Sequence, residues 1–389
     1  MAELAGQEIL CLAPVDWSSL LARIHQIMLR LARRNRVLYV NPPATLLSPF
    51  KDPAFWPKWR PWGKRYSEGT SLTVYQPPLV LPLGSYWQPV AWLNQRWLAP
   101  WIRREMRRLK LTQPIVFTYL PGTAELIRLL PHRLVIYDCV DEHGAFKGLI
   151  RPEVVWEQEK ALLRLADLVF ATTPGLLERR RPFCRQIYLV PNAADVELFS
   201  QALREETPVP EEVASLPRPR LCFVGAIQEW IDTGLLAGMA RLRPDWQLLL
   251  IGPVAPGVPM EGLDRLPNVH FLGPRPHEVL PRYLRGCDVC LAPFRPGELT
   301  SKVNPLKLYE YLAAGRPVLA TPWLDFGELK DLVVLAQTPE EAVAAVERIL
   351  AEETEEKKRE RLARVAFHSW EARVSFMEEK IAELLSSQR

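Results

Sequence analysis

Lys307 and Glu310 stand one helical turn apart in NPLKLYEYLAAGRPVLAT, residues 304–321. Asn304 reads as an N-cap, Pro305 as the first helical residue and Gly315 as the left-handed residue that ends the helix. The first turn of such a helix presents unpaired N–H groups and the positive end of the helix dipole, which together favour an anion. Lys307 adds a mobile cation to that turn, where cations are normally disfavoured, and a phosphate would explain its presence. The alternative is a plain pair between Lys307 and Glu310, stabilising by about 0.2–0.5 kcal/mol. A second concentration of chemistry is YDCVDEHGAF, residues 137–146, which brings Asp138, Asp141, Glu142 and His143 to the end of a predicted strand. A strand's carboxyl end is the correct end of an α/β sheet for chemistry, and this is the densest acidic cluster of the N-terminal half. The alternative use of these residues is to cap the helix that follows. His25, in RIHQIMLRL, is a lone helical histidine that either touches a substrate or serves the structure. The six His are dispersed without metal-binding spacing and no Asp-x-Asp motif is present, so no metal site is expected.

These residues need elements to hold them. Short apolar runs such as EILCLAP (8–14), RVLYVNPP (36–43), PIVFTYLP (114–121), LVIYDCVD (134–141) and DLVFATTP (167–174) alternate with longer helical segments. That alternation predicts βαβ units and a parallel sheet. REETPVPEEVASLPRPR, residues 204–220, interrupts it and reads as a linker, after which RLCFVGA, WQLLLIGP, VHFLGP, DVCLAP, RPVLATP and LVVLAQT restart the pattern. The chain is therefore expected to be α/β with two doubly wound Rossmann-like domains and a cleft between them. The boundaries are 1–203, a linker 204–219, 220–365 and a closing helical segment 366–389. Ligands in such sheets bind beyond the carboxyl ends of the strands.

At 389 residues, 48% hydrophobic and 24% charged, the composition is that of a globular protein of more than one core. No apolar run is long enough to span a bilayer, and the N-terminus lacks a signal-peptide pattern, so cytoplasmic residence is expected. Cys287 and Cys290 have C-x-x-C spacing, but in a strand residues three apart face opposite sides of the sheet; buried reduced thiols are the expectation. Charge is uneven: residues 1–200 hold 26 Lys and Arg against 17 Asp and Glu, and nine of the thirteen Trp. A basic, Trp-rich half suits an anionic surface or a large polyanionic partner, the alternative being an Arg- and Pro-rich composition with no partner behind it; no nucleic-acid partner is expected. FWPKWRPWGKR (55–65) places Trp59 and Trp62 beside cations, suiting a sugar ring or lipid headgroups. In WLNQRWLAPWIRREMRRLK (92–110), Trp97 and Trp101 accompany Arg103 and Arg107. The wheel of this segment fits either an interfacial helix on anionic lipid or a helix packed on its own sheet.

NPLKLYEYLAAGRPVLAT, taken with FVG, LLLIGP, NVHFLGPRP and VPNAADVELF, resembles the GT-B glycosyltransferases of the family 4-like group 1 type. Within them it is similar to the teichuronic-acid-biosynthesis branch. The resemblance implies a nucleotide-sugar donor, UDP-linked, as co-substrate with no other cofactor, and a glycan or lipid-linked acceptor. It implies that Glu310 grips the donor ribose, that Lys307 and the backbone after Asn304 meet the diphosphate, and that Gly273 and Arg275 lie against the base. It also implies that Gly225 ends the strand beside the phosphates, and that residues 366–389 pack back on the N-terminal domain. Ser301 and Lys302 precede the helix, and Lys302 stands where many members have a glutamate. If the reaction inverts the sugar, Asp141 is the base; if it retains configuration, Asp141 or His143 positions the sugar, beside Asp138. Residence on the inner face of the membrane is expected. A GT-B-fold epimerase and an inactive nucleotide-binding scaffold are the alternatives.

Overall fold

The computed structural model describes residues 4–18, 21–51, 56, 59, 63–68, 71–145, 150–297, 300 and 303–387. Trp62, Ser301 and Lys302 lie outside the described residues. The chain forms two compact units, residues 1–191 with 374–389, and residues 192–373.

The first unit is built on an eight-stranded sheet of β1 (Glu8–Leu12), β2 (Arg36–Val40), β3 (Lys64–Glu68), β4 (Leu72–Gln76), β5 (Ile115–Thr118), β6 (Leu134–Cys139), β7 (Leu168–Ala171) and β8 (Ile187–Leu189). Their spatial order is β3-β4-β2-β1-β5-β6-β7-β8. All neighbours are parallel except β3, which runs antiparallel to β4 at the edge. β3 is absent from the sequence reading because its residues, KRYSE, are too polar to register as a buried strand. Charged side chains of this kind are how an edge strand avoids pairing with other chains. The interior strands are Val-, Ile- and Leu-rich because helices cover both faces.

The second unit holds β9 (Arg220–Val224), β10 (Gln247–Ile251), β11 (Val269–Phe271), β12 (Val289–Ala292), β13 (Val318–Ala320) and β14 (Val333–Leu335). They are ordered β11-β10-β9-β12-β13-β14 and parallel throughout. This is the doubly wound order whose direction reverses between the first and fourth strands, β9 and β12, and a crevice forms at that reversal. Strict alternation sends Cys222, Val224, Leu249 and Ile251 into one core and Leu221, Phe223, Leu248 and Leu250 into the other.

Two expectations need correction. Residues 204–219 are not a free linker: they fall within the second unit, whose boundary lies at 191/192 rather than 203/204. Val213, on the short helix Glu211–Ala214, is fully buried there, and the Arg220 side chain donates to the Ala214 carbonyl (2.8 Å). Pro and Glu give the segment a linker's composition, but one buried valine and one arginine tie it down. Cys287 and Cys290 do not face opposite sides. Cys287 precedes β12, so strand alternation does not reach it, and both thiols enter the core that holds Cys222. Cys222 and Cys290 lie 3.5 Å apart at sulfur; a hydrogen bond with Cys287 pulls the Cys222 thiol down, but Cys290 and burial outweigh it and push the thiol well up. The Trp370–Ser387 helix begins in the second unit; from Val374 onward it belongs to the first, where Phe376 meets Tyr188 edge-on at 5.9 Å.

Gly225 and Gly252 end β9 and β10 with φ of +156° and +153°. The two loops cross so closely that a Cβ on Gly252 would lie 1.9 Å from the Gly225 carbonyl oxygen. Gly252→Ala is therefore expected to destabilise the second unit by about 2 kcal/mol or more, since neither backbone can yield. Urea unfolding followed by far-UV circular dichroism measures the loss.

Candidate functional site

The helix Leu306–Ala313 lies between β12 and β13 and is locked to the end of β9 by the Tyr311 hydroxyl, which accepts the Val224 N–H at 2.8 Å. It therefore stands at the strand-order reversal. Three adjacent strands, β9, β10 and β11, end there in glycines of positive φ, Gly225, Gly252 and Gly273. Backbone without Cβ atoms lines this part of the sheet's carboxyl edge, as close approach of a ligand requires.

Glu310 is 2% exposed. Its Oε2 takes Lys307 Nζ at 2.6 Å and its Oε1 lies 3.3 Å from His277 Nε2. Burial alone would raise its pKa, but the Lys307 charge and the His277 hydrogen bond outweigh that and hold the carboxyl below its ordinary value of 4.5. His277 is the partner the sequence reading missed. It comes from the Pro276–Leu280 turn after β11, 33 residues away, and also packs edge-on against Phe199 at 5.2 Å. No local spacing announces it.

Asn304 is not the N-cap: the helix begins at Leu306, Pro305 holds the cap position, and no side chain caps it. A proline N-cap leaves the first-turn N–H groups without a side-chain partner from that position. Asn304 instead ties loops together, its Oδ1 accepting the Asn192 N–H (2.9 Å) and its Nδ2 donating to the Asp325 carbonyl (3.1 Å). Arg275 follows Gly273 as expected, but its guanidinium is engaged. It donates to both oxygens of Glu212 at 2.9 and 3.1 Å, and through Nε to the Tyr283 hydroxyl at 2.6 Å. Stacking on a ligand would mean leaving those partners.

In the first unit, Asp138 is fully buried and receives Arg23 Nε and Nη2 at 2.9 and 3.0 Å, one on each oxygen. It anchors the Arg23–Leu31 helix, with one charged hydrogen bond already on each oxygen. Glu142 joins a buried network in which Arg180 meets Glu142 at 3.3 Å and Glu159 at 2.7 Å, and the Tyr137 hydroxyl donates to Glu159 at 2.7 Å. Neither Arg23 nor Arg180 was singled out from sequence, because each finds its partner through the fold. The helix after this cluster starts at Pro152 with no side-chain cap, so the acidic residues do not cap it. Asp141 and His143 remain at the strand end. Burial pushes the Asp141 carboxyl up against the opposing pull of His143, and burial pushes the His143 imidazole down against Asp141 and Glu159. Both shifts favour the neutral forms.

His25 is structural. Its Nδ1 accepts the Ala22 N–H (3.0 Å), so Nε2 carries the proton and donates to the Asp16 carbonyl (3.2 Å), between the Trp17 and Tyr39 rings. The Gln88–Arg108 helix settles the wheel's ambiguity. Leu98, Ile102 and Met106 are buried in the unit's own core, so that stripe is not available to lipid. Trp97 is exposed with its indole N–H on the Leu79 carbonyl, Trp101 is half-buried against it, Arg103 donates to the Leu129 carbonyl, and Arg107 faces solvent. Trp59 is exposed and donates to the Leu46 carbonyl. Among the described residues no helix is long and apolar enough to cross a membrane, and no three His, Cys, Asp or Glu cluster to hold a metal.

Two parallel-sheet units of this order, with a carboxylate helix at the second unit's strand reversal, define the GT-B class of fold. Residues 218–352, in the second unit, match the family described as Glycosyl transferases group 1. Over 263 residues the chain is 28% identical to TuaH of Bacillus subtilis (strain 168), named as a teichuronic acid biosynthesis glycosyltransferase. The match covers 63% of this chain and 66% of that protein, just under two thirds of its length. Among solved structures, sucrose-phosphate synthase from Thermosynechococcus elongatus superposes with a TM-score of 0.72 at 19% identity, covering 98% of this chain and 100% of that one. A Burkholderia xenovorans α,α-trehalose-phosphate synthase (UDP-forming), in complex with glucose-6-phosphate, gives 0.67 at 13% identity over 98% and 100%. At such identities these two share the fold.

Because the Glu310 carboxyl is held below 4.5, its contribution to stability is complete above that pH and is lost as pH falls through the lower folded value. Lys307→Met removes the main opposing charge. The Glu310 carboxyl carbon, followed by NMR, is expected to titrate at higher pH in the variant, with about 1–3 kcal/mol lost at pH 7.

Proposed function

We propose that the protein is a glycosyltransferase moving a sugar from a UDP-linked donor to a glycan or lipid-linked acceptor of cell-surface polysaccharide synthesis. The observation that carries this is Glu310: a buried carboxylate at the strand reversal of a group 1 domain, matched by a cation and an imidazole. An ionised carboxylate has the lone pairs to accept both hydroxyls of a ribose cis-diol. Lys307, within reach of the helix's first turn, turns to the diphosphate when the diol takes its place on Glu310. The glycine-ended strands give the backbone approach the phosphates need. The TuaH relative's name supports the polysaccharide setting.

On the acceptor side, Asp141 and His143 are the groups at the end of β6 that position the sugar or take the acceptor proton. An acceptor-free epimerase has no use for the large cavity of the first unit. The positive charge at the diphosphate comes from Lys307 and helix N–H groups, and transfer is proposed to need no divalent ion. Exposed Trp and Leu side chains of the first unit, with its net positive charge, fit a peripheral position on the inner face of the cell membrane.

Glu310→Ala is expected to weaken UDP binding about 10–100-fold, the loss of charge-assisted hydrogen bonds; isothermal titration with unchanged affinity would remove the central assignment. With a radiolabelled UDP-sugar and a lipid-linked acceptor, product formation is expected to persist in EDTA, and a strict dependence on added Mg²⁺ or Mn²⁺ would overturn the metal-independent reading.

A further inference from the structure

The first unit contains a cavity of about 460 Å³, within the range of about 300–1,000 Å³ typical of small-molecule sites. It lies at the carboxyl ends of β1, β2, β4 and β5, where Ala13, Asn41, Pro77 and Leu120 line it, and is walled by the helices Gln88–Arg108 and Pro152–Leu165. Its surface is largely aliphatic. Its bordering side-chain amides are bound to the protein itself. Asn94 holds the Leu81 backbone through both Oδ1 (2.9 Å) and Nδ2 (2.8 Å), and Gln95 accepts the Leu126 N–H at 2.9 Å. Gln158 donates to the Gly84 carbonyl (3.1 Å) and Gln88 (2.9 Å), and the Asn41 amide is shared between Trp17 and Gln76. A sugar in this space would exchange its hydrogen bonds with water for few in return, at a cost of about 1–3 kcal/mol per unpaired group. A hydrocarbon would lose nothing.

The cavity reaches solvent beside Leu47, Leu81 and Leu83, which are both part of its lining and exposed. The stretch of chain that forms this opening is rich in exposed apolar side chains. Twelve of the nineteen exposed large hydrophobic side chains among the described residues fall between Leu46 and Trp97. Phe50, Trp56 and Trp59 form a chain of edge-on contacts at 5.9 and 5.7 Å, joined to the Leu46 carbonyl through the Trp59 indole. A clustered exposed patch of this kind marks a binding surface. A cation stands beside it: the Arg151 N–H donates to the carbonyl of Ser85, a cavity residue, and its guanidinium lies over the Tyr86 ring at 4.9 Å.

We infer that this cavity holds the hydrocarbon tail of an amphiphilic, phosphate-bearing lipid acceptor, with Arg151 at its mouth meeting the phosphate. The choice of an acceptor as occupant rests on the transferase reading; the apolar wall and its charged mouth do not. Farnesyl phosphate and dodecyl phosphate are the probes, titrated below their critical micelle concentrations and followed by tryptophan fluorescence. Ala91→Phe and Val155→Phe fill the cavity from its two walls, and UDP titration of each variant reports the intact second unit. The wild-type protein is expected to bind at least one probe, each folded variant at least 10-fold more weakly, and inorganic phosphate not to compete at equal concentration. Tighter binding of farnesyl phosphate assigns an isoprenoid tail, and tighter binding of dodecyl phosphate a straight chain; both support the site. Binding of neither probe, or binding unchanged by the filling variants, overturns it. If one variant does not fold, the other decides. Tail binding without UDP binding would count against the transferase reading and leave the tail site standing.

Discussion

Burying a carboxylate beside a cation is the constraint on which this protein's sites depend. Three such arrangements stand near strand ends: Asp138 with Arg23, Glu159 with Arg180, and Glu310 with Lys307. An unpaired charge in such surroundings would be driven to its neutral form, and removing one partner of a fully buried pair, such as Asp138 with Arg23, costs about 3–5 kcal/mol. The first two pairs are closed on themselves and serve as struts. The third differs in that its cation is mobile, on a lysine stem at the first turn of a helix, and its second oxygen meets a histidine. That difference separates a site able to exchange its partners for a ligand from a site that only holds the fold.

The two units use the same sheet logic for opposite chemistry. In the second, positive-φ glycines bare the backbone at the carboxyl edge, and a charged pair stands among them, a surface for polar and anionic groups. In the first, the same edge is lined by Leu, Pro and Val, with its amides turned inward. The same edge of two similar sheets is thus polar in one unit and apolar in the other. The specificity comes from the loops, because the strands beneath are covered on both faces and have no side chains to spare.

Parts of the site were readable in the residues. FVG, LLLIGP and FLGP each place a glycine after an apolar run, and those glycines do end adjacent strands with positive φ. Lys307 and Glu310 at i,i+3 had to be neighbours on any helix, and they are. Asn304 looked like a cap because N-P before an apolar run is a cap's composition, yet its amide is drawn away by Asn192 and Asp325, residues no local window contains. Likewise the segment 204–219 has a linker's composition, and only the burial of Val213 makes it part of the second unit.

Local order in this chain is written in local pattern. Apolar runs four to six residues long between helical segments can bury themselves only as covered parallel strands, so the sequence alone determined two doubly wound sheets and the strand ends at which to look. It also determined the charged pair on the Leu306–Ala313 helix, since a helix has one period. What the tertiary structure alone decided is which charges are spent. Arg23 meets Asp138 across 115 residues, His277 meets Glu310 across 33, and the amides around the cavity find their partners up to 74 residues away. Hydrogen bonds act over about 3 Å of space and not along the chain, so the division between free and occupied polar groups exists only once the chain has folded.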